Sequence, residues 1–149
     1  MESRHISLTF LSGLMLSATL MAGDWPGFRG ADRSGVSSEK GFKAVWPKDG
    51  LKASWVAKTC GAGYSGPAVV GNQVFLLGLQ DGQEFLFKLD AKGKTAWTAP
   101  LGPSFDFNGN SFSAGPNSTP TVDGNLVYGL GSQGILVCAD ANSGKIVWK

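Results

Sequence analysis

The residues that come nearest to a chemical constellation are Asp106, Asn108 and Asn110, oxygen-bearing side chains at every second position, as at the start of a calcium loop. The match then stops. Ser111 stands where the tight turn of such a loop needs glycine, and Asn117 where a bidentate glutamate belongs. Residues 103–111 therefore read as a solvent-exposed insertion without metal, with Asp106, Asn108 and Asn110 as the ligands should calcium bind. The one histidine, His5, falls in a leader-like segment, so the rest of the chain has no imidazole for a triad, a zinc or a haem. Cys60 and Cys138 form neither a C-x-x-C nor a C-x-x-C-H pattern; they could pair after export, or Cys138 could fill a small apolar space inside a strand. Asp49, Asp81 and Asp123 each precede glycine, and Asp90 and Asp140 open turns, which are structural uses of a carboxylate. No catalytic residue is expected.

The elements that carry these residues are set by a repeat. Residues 65–97 return, slightly altered, as residues 118–148: Ser65, Pro67, Gly71, Asn72, Val74, Gly78, Asp90, Ala91, Gly93, Lys94 and Trp97 meet Ser118, Pro120, Gly124, Asn125, Val127, Gly131, Asp140, Ala141, Gly144, Lys145 and Trp148. Trp55, Trp97 and Trp148 recur at intervals of 42 and 51 residues, in or near the period of propeller blades. Short β-rich runs separated by turn pairs fill each copy, and no apolar pattern of period 3.6 persists for a helix's length. The first copy predicts strands at 67–70, 73–78, 84–90 and 95–98, the second at 120–122, 126–130, 135–140 and 146–149. Four strands make one blade. The first copy is longer by three residues, which are expected in the turn at 80–83.

Inner strands such as Val74-Phe75-Leu76-Leu77 and Phe85-Leu86-Phe87 are apolar on consecutive residues, so both faces of their sheet must be covered, as when blades stack. Asp90 and Asp140 can accept amide hydrogens of their own turns, Gly93 and Gly144 can turn left-handed, and Trp97 and Trp148 follow at a fixed distance to fill the groove between successive blades. These six residues are read as structural. About two blades are present, too few to close a ring of the usual 4–8, so further blades past Lys149 or an assembly of copies is expected.

Residues 1–23 carry Arg4, a largely apolar run to Met21 and then Ala22-Gly23, the pattern of a secretory signal peptide. The alternative, a retained membrane anchor, is weakened by the run's shortness and its Ser, Thr and Gly interruptions. An exported, periplasmic or extracellular chain with no later membrane span follows. Residues 24–58 form a non-repeating lead with a strand pair about Asp49-Gly50; Trp25, Phe28 and Trp46 are expected to pack on the edge of the repeats at 59–149. With 22 glycines and only 16% charged residues the chain is turn-dense and all-β, and its net charge of +2, carried on scattered side chains, does not favour nucleic acid.

The sequence from Ala139-Asp140 through Gly144-Lys145 to Trp148, the strand pair in 118–131, and the lead Asp24-Trp25-Pro26-Gly27-Phe28-Arg29-Gly30 resemble the pyrroloquinoline-quinone-like (quinoprotein-type) β-propeller repeat family, in its exported bacterial branch. The resemblance implies an all-β propeller, here incomplete. It does not imply one activity, because the family includes quinone-dependent alcohol and sugar dehydrogenases as well as a partner-binding lipoprotein that uses no cofactor. The vicinal cysteine pair of the dehydrogenases and the lipid-attachment cysteine of the lipoprotein are both missing here. The reading is a non-catalytic scaffold or binding surface without cofactor, whose partners are proteins or further blades. The alternative is the N-terminal part of a dehydrogenase using pyrroloquinoline quinone with calcium.

Overall fold

Short β-rich runs between glycine-containing turns produce eight strands. The computed structural model describes residues 23–41, 45–105 and 115–149. Strands β1 (Ala68–Val70), β2 (Gln73–Gln80), β3 (Gln83–Leu89) and β4 (Thr95–Pro103) pair in order as one antiparallel sheet. Strands β5 (Thr121–Asp123), β6 (Leu126–Leu130), β7 (Leu136–Asp140) and β8 (Ile146–Trp148) pair in order as a second. The protein is thus all-β, with two four-stranded sheets and no helix among the described residues. Neither sheet closes on itself.

The repeat is kept at the level of register. Phe75 pairs Lys88 and Leu77 pairs Leu86 in the first sheet; at the matching places Tyr128 pairs Cys138 and Leu130 pairs Leu136. The extra residues of the first copy do not loop out in the turn. They extend the ladder, so that β2 and β3 run for 8 and 7 residues where β6 and β7 have 5 each. The cause is Asp81-Gly82, whose positive φ values of 48° and 76° give a two-residue turn of the twist a hairpin favours.

Each sheet has two faces because side chains alternate along a strand. Phe75, Leu77, Glu84, Leu86, Lys88 and Trp97 share what we term the forward face of the first sheet. It packs on Val127, Gly129, Val137 and Ala139, the rear face of the second sheet, and this contact is the hydrophobic core. The segment between the lead and β1 meets the rear face of the first sheet, where the Cys60 carbonyl sits so tightly on Gly78 that no Cβ could be accommodated, and Ala62 bridges Leu79 along the edge of β2. On that rear face Phe87 and Leu89 are buried, while Leu76 and Phe85 are half-buried.

The beginning of the lead ties the sheets together at their first strands. Trp25 exchanges two backbone hydrogen bonds with Val69 of β1, at 2.7 and 2.8 Å, while the Pro26 carbonyl accepts from Val122 N of β5 at 2.7 Å. Asp24 Oδ1 accepts from Gly71 N in the β1–β2 turn at 2.7 Å. Between residues 45 and 58 the lead departs from the expected strand pair. The Asp49-Gly50 turn forms, with Gly50 N donating to the Pro47 carbonyl, but the flanking residues carry no strand. Val45, Trp46, Leu51 and Val56 are exposed, and an isolated hairpin without a covering layer is marginal in water. Trp25 packs as expected; Phe28 and Trp46 do not. Residues 1–22, which hold the leader-like segment, lie outside the described residues.

Candidate binding surfaces

The forward face of β3 explains how one sheet seats the next. Glu84, Leu86 and Lys88 occur at every second position and so point the same way. Glu84, 1% exposed, grips the β6–β7 turn, its carboxylate accepting from Ser132 N at 2.8 Å and from Ser132 Oγ at 2.6 Å. Leu86 meets Gly129, where an added Cβ would also press on Leu77 and Leu101. Lys88, 7% exposed, donates from Nζ to the Ala141 carbonyl at 2.9 Å and lies 5.8 Å from the centre of the Phe75 ring. Burial lowers the Lys88 pKa from its ordinary value, and the nearby Asp140 charge opposes that shift. Two charges inside an otherwise apolar strand were the available signal, because a buried charge needs a partner. The sequence reading did not use it.

The Asp-turn glycines serve the same contact. Asp90 Oδ1 accepts from Lys92 N and Lys94 N, each at 2.9 Å. Asp140 Oδ1 accepts from Asn142 N at 3.1 Å and from the Ser143 amide and hydroxyl at 2.8 Å. These bonds hold both carboxyl groups below their ordinary pKa: for Asp90 the Lys94 amide dominates, for Asp140 the Ser143 hydroxyl. Gly93 and Gly144 take φ of 76° and 74°. The Trp97 ring lies on Gly144, 2.6 Å from where a Cβ would be, and its Nε1 donates to the Ala141 carbonyl at 3.3 Å. Trp55 lies on Gly93 in the same way. A tryptophan from each preceding segment thus covers the turn glycine of the sheet that follows.

Trp148 is the third member of this series and has no turn to cover among the described residues. Its ring lies 6.0 Å from Tyr128, as Trp97 lies 6.0 Å from Phe75, yet Trp148 is 44% exposed. With exposed Leu130 and Leu136 it makes the forward face of the second sheet an open apolar surface. Cys138, the counterpart of Lys88, is buried beneath it; both Cys138 and Cys60 are free thiols, and burial raises the Cys60 pKa.

A second surface is a cleft of about 800 Å³ where the lead loop meets the segments before β1 and β5, lined by Trp25, Phe28, Arg29, Tyr64, Asn117 and Thr119 among others. Phe28 is 71% and Tyr64 58% exposed. Arg29 has φ of 65°, a left-handed conformation that costs a non-glycine residue about 1–2 kcal/mol. Its shape is fixed by Gly35 N donating to the Arg29 carbonyl at 2.9 Å and by Arg29 Nη2 donating to the Ser34 carbonyl at 3.1 Å. Asn117, which fails as a calcium ligand in sequence, lies in this cleft. The cleft draws on three separated stretches of chain, so no local motif announces it. Asp106, Asn108 and Asn110 lie outside the described residues.

No protein-family model matches the chain, and no curated protein matches it in sequence.

Proposed function

We propose that this is an exported, non-catalytic β-propeller repeat protein of the pyrroloquinoline-quinone-like type, acting as a scaffold whose open forward face receives a further unit of the same repeat. The observation that supports this reading is the recurrence of one docking arrangement. Trp55 covers Gly93, Trp97 covers Gly144, and Trp148 stands ready beside Tyr128 with its face exposed. A surface that repeats the register and the aromatic pair of a filled interface is suited to the same kind of partner. The carboxylates of Asp90 and Asp140, the most regular polar groups of the repeat, accept hydrogen bonds within their turns, which favours a structural over a catalytic use.

Sedimentation velocity with and without a hydrophobic dye tests the open face. The protein is expected to self-associate and bind dye, and the double substitution Leu136→Glu, Trp148→Glu to give a dye-free monomer with little change in Tm. A wild-type monomer that binds no dye contradicts the reading. Reduction of a redox dye after addition of pyrroloquinoline quinone, calcium and an alcohol or aldose would replace the scaffold with a dehydrogenase. Export rests on the composition of residues 1–23; recovery of cytoplasmic protein with an intact N-terminus would remove it.

A further inference from the structure

The lead loop presents a built surface that sheet docking does not use. Three non-glycine residues among those described have left-handed φ, and two of them, Arg29 at 65° and Arg33 at 60°, lie in this one loop. The turn is closed by hydrogen bonds of its own, Gly35 N to the Arg29 carbonyl and Arg29 Nη2 to the Ser34 carbonyl, which fix where the Arg29 guanidinium sits and leave its other donors for a ligand. Among the described residues, Arg29 is the only charged one lining the cleft with Trp25, Phe28, Tyr64, Asn117 and Thr119. Phe28 and Tyr64 leave most of their surface in solvent although the neighbouring Gly27 and Gly30 are buried.

We infer that this cleft binds an anionic sugar, a pyranose carrying one carboxylate or sulfate, with the aromatic rings as platforms and Arg29 as partner of the anion. The apolar faces of sugar rings match the rings of Trp25, Phe28 and Tyr64, while ring hydroxyls need planar donors and acceptors of the kind Arg29, Asn117 and Thr119 supply. An acyl chain would use the aromatics but offer no hydroxyls to Asn117 and Thr119. A peptide added as a further strand would need a vacant strand edge, and the backbone of Val69 and Val122 beside the cleft is already bonded to Trp25 and Pro26. A nucleotide's terminal phosphate brings close to two charges against one guanidinium. This inference is independent of the open forward face, since it uses neither Trp148 nor its neighbours.

Titration calorimetry of the whole protein with a galacturonate disaccharide, a sulfated galactose disaccharide and the neutral galactose disaccharide tests it. At least one anionic sugar is expected to bind about tenfold or more tightly than the neutral one; which one does so assigns the anion as carboxylate or sulfate. Arg29→Gln should erase the difference, Phe28→Ala should weaken the anionic sugar about tenfold, and Arg33→Gln, which lies outside this cleft, should leave binding unchanged. Because Arg29 and Phe28 are exposed, these variants keep the fold. Arg29→Gly serves as the second check: relieved of its strain, it should melt no lower than wild type while losing the anionic sugar. Equal affinity for neutral and anionic sugars, binding of none, binding indifferent to Arg29→Gln, or tighter binding of a nucleoside monophosphate each overturns the inference.

Discussion

The forward faces of the two sheets share a backbone register but not a chemistry. In the first, Glu84, Leu86 and Lys88 reach the top, middle and bottom of the second sheet, where Ser132, Gly129 and Ala141 receive them. In the second, the matching positions of β7 and the turn before it hold Gly134, Leu136 and Cys138. The aromatic pair is retained, Phe75 with Trp97 becoming Tyr128 with Trp148. The tryptophan provides the general means of joining sheets, and the charged residues add a lock particular to one junction.

The largest effect that would break this comparison is at the tryptophans. Trp97→Ala should cost about 3 kcal/mol in denaturant unfolding because it empties the groove above Gly144. Trp148→Ala, on the open face, should cost less than about 1 kcal/mol. Equal losses would mean that the two faces are not filled and open versions of one surface.

Smaller is the lock itself. Lys88→Met keeps the length of the side chain but removes the bond to the Ala141 carbonyl, which retains its bond from Trp97 Nε1. A loss of about 1–2 kcal/mol is expected, since the lost charge-assisted bond is partly offset by relief from burying the ammonium group. Unchanged or raised stability would assign Lys88 to selecting the neighbour rather than holding it.

The smallest effect is the acid response of the two Asp turns, which the sheets have in common. Both carboxyl groups have folded pKa values below the ordinary 3.8. Their contribution is therefore full above that value and is lost as pH falls through the lowered folded pKa. Asp90→Asn with Asp140→Asn keeps an oxygen for the turn amides and removes the titration, so Tm should fall less steeply below pH 4 in the double variant than in wild type. Parallel slopes would show that other carboxylates govern acid unfolding.

Much of the fold was legible because short β-rich runs and glycine-bearing turns are local signals. The strands at 73–80, 83–89 and 126–130 begin or end within a few residues of where those signals put them. The extra residues of the first copy were misplaced because an Asp-Gly pair permits either a looser turn or a longer ladder, and the choice depends on strand packing. The hairpin expected about Asp49-Gly50 had the turn but no covering layer, which no turn signal reveals. The anion cleft was less legible still. Phe28 read as a packing residue by type, yet in the fold it is exposed while the neighbouring Trp25 is bonded to Val69.

The central claim is that the forward face of the second sheet is an unfilled copy of the interface already present in the molecule. The direct measurement appends a second copy of residues 115–149 after Lys149 and follows both Tm and the solvent accessibility of Trp148 by fluorescence quenching. The account predicts one cooperative transition at higher temperature, with Trp148 protected and the protection lost when the glycine of the appended Asp turn is replaced by valine. A Trp148 that remains as accessible as before, above an appended unit that melts separately or never folds, would contradict it.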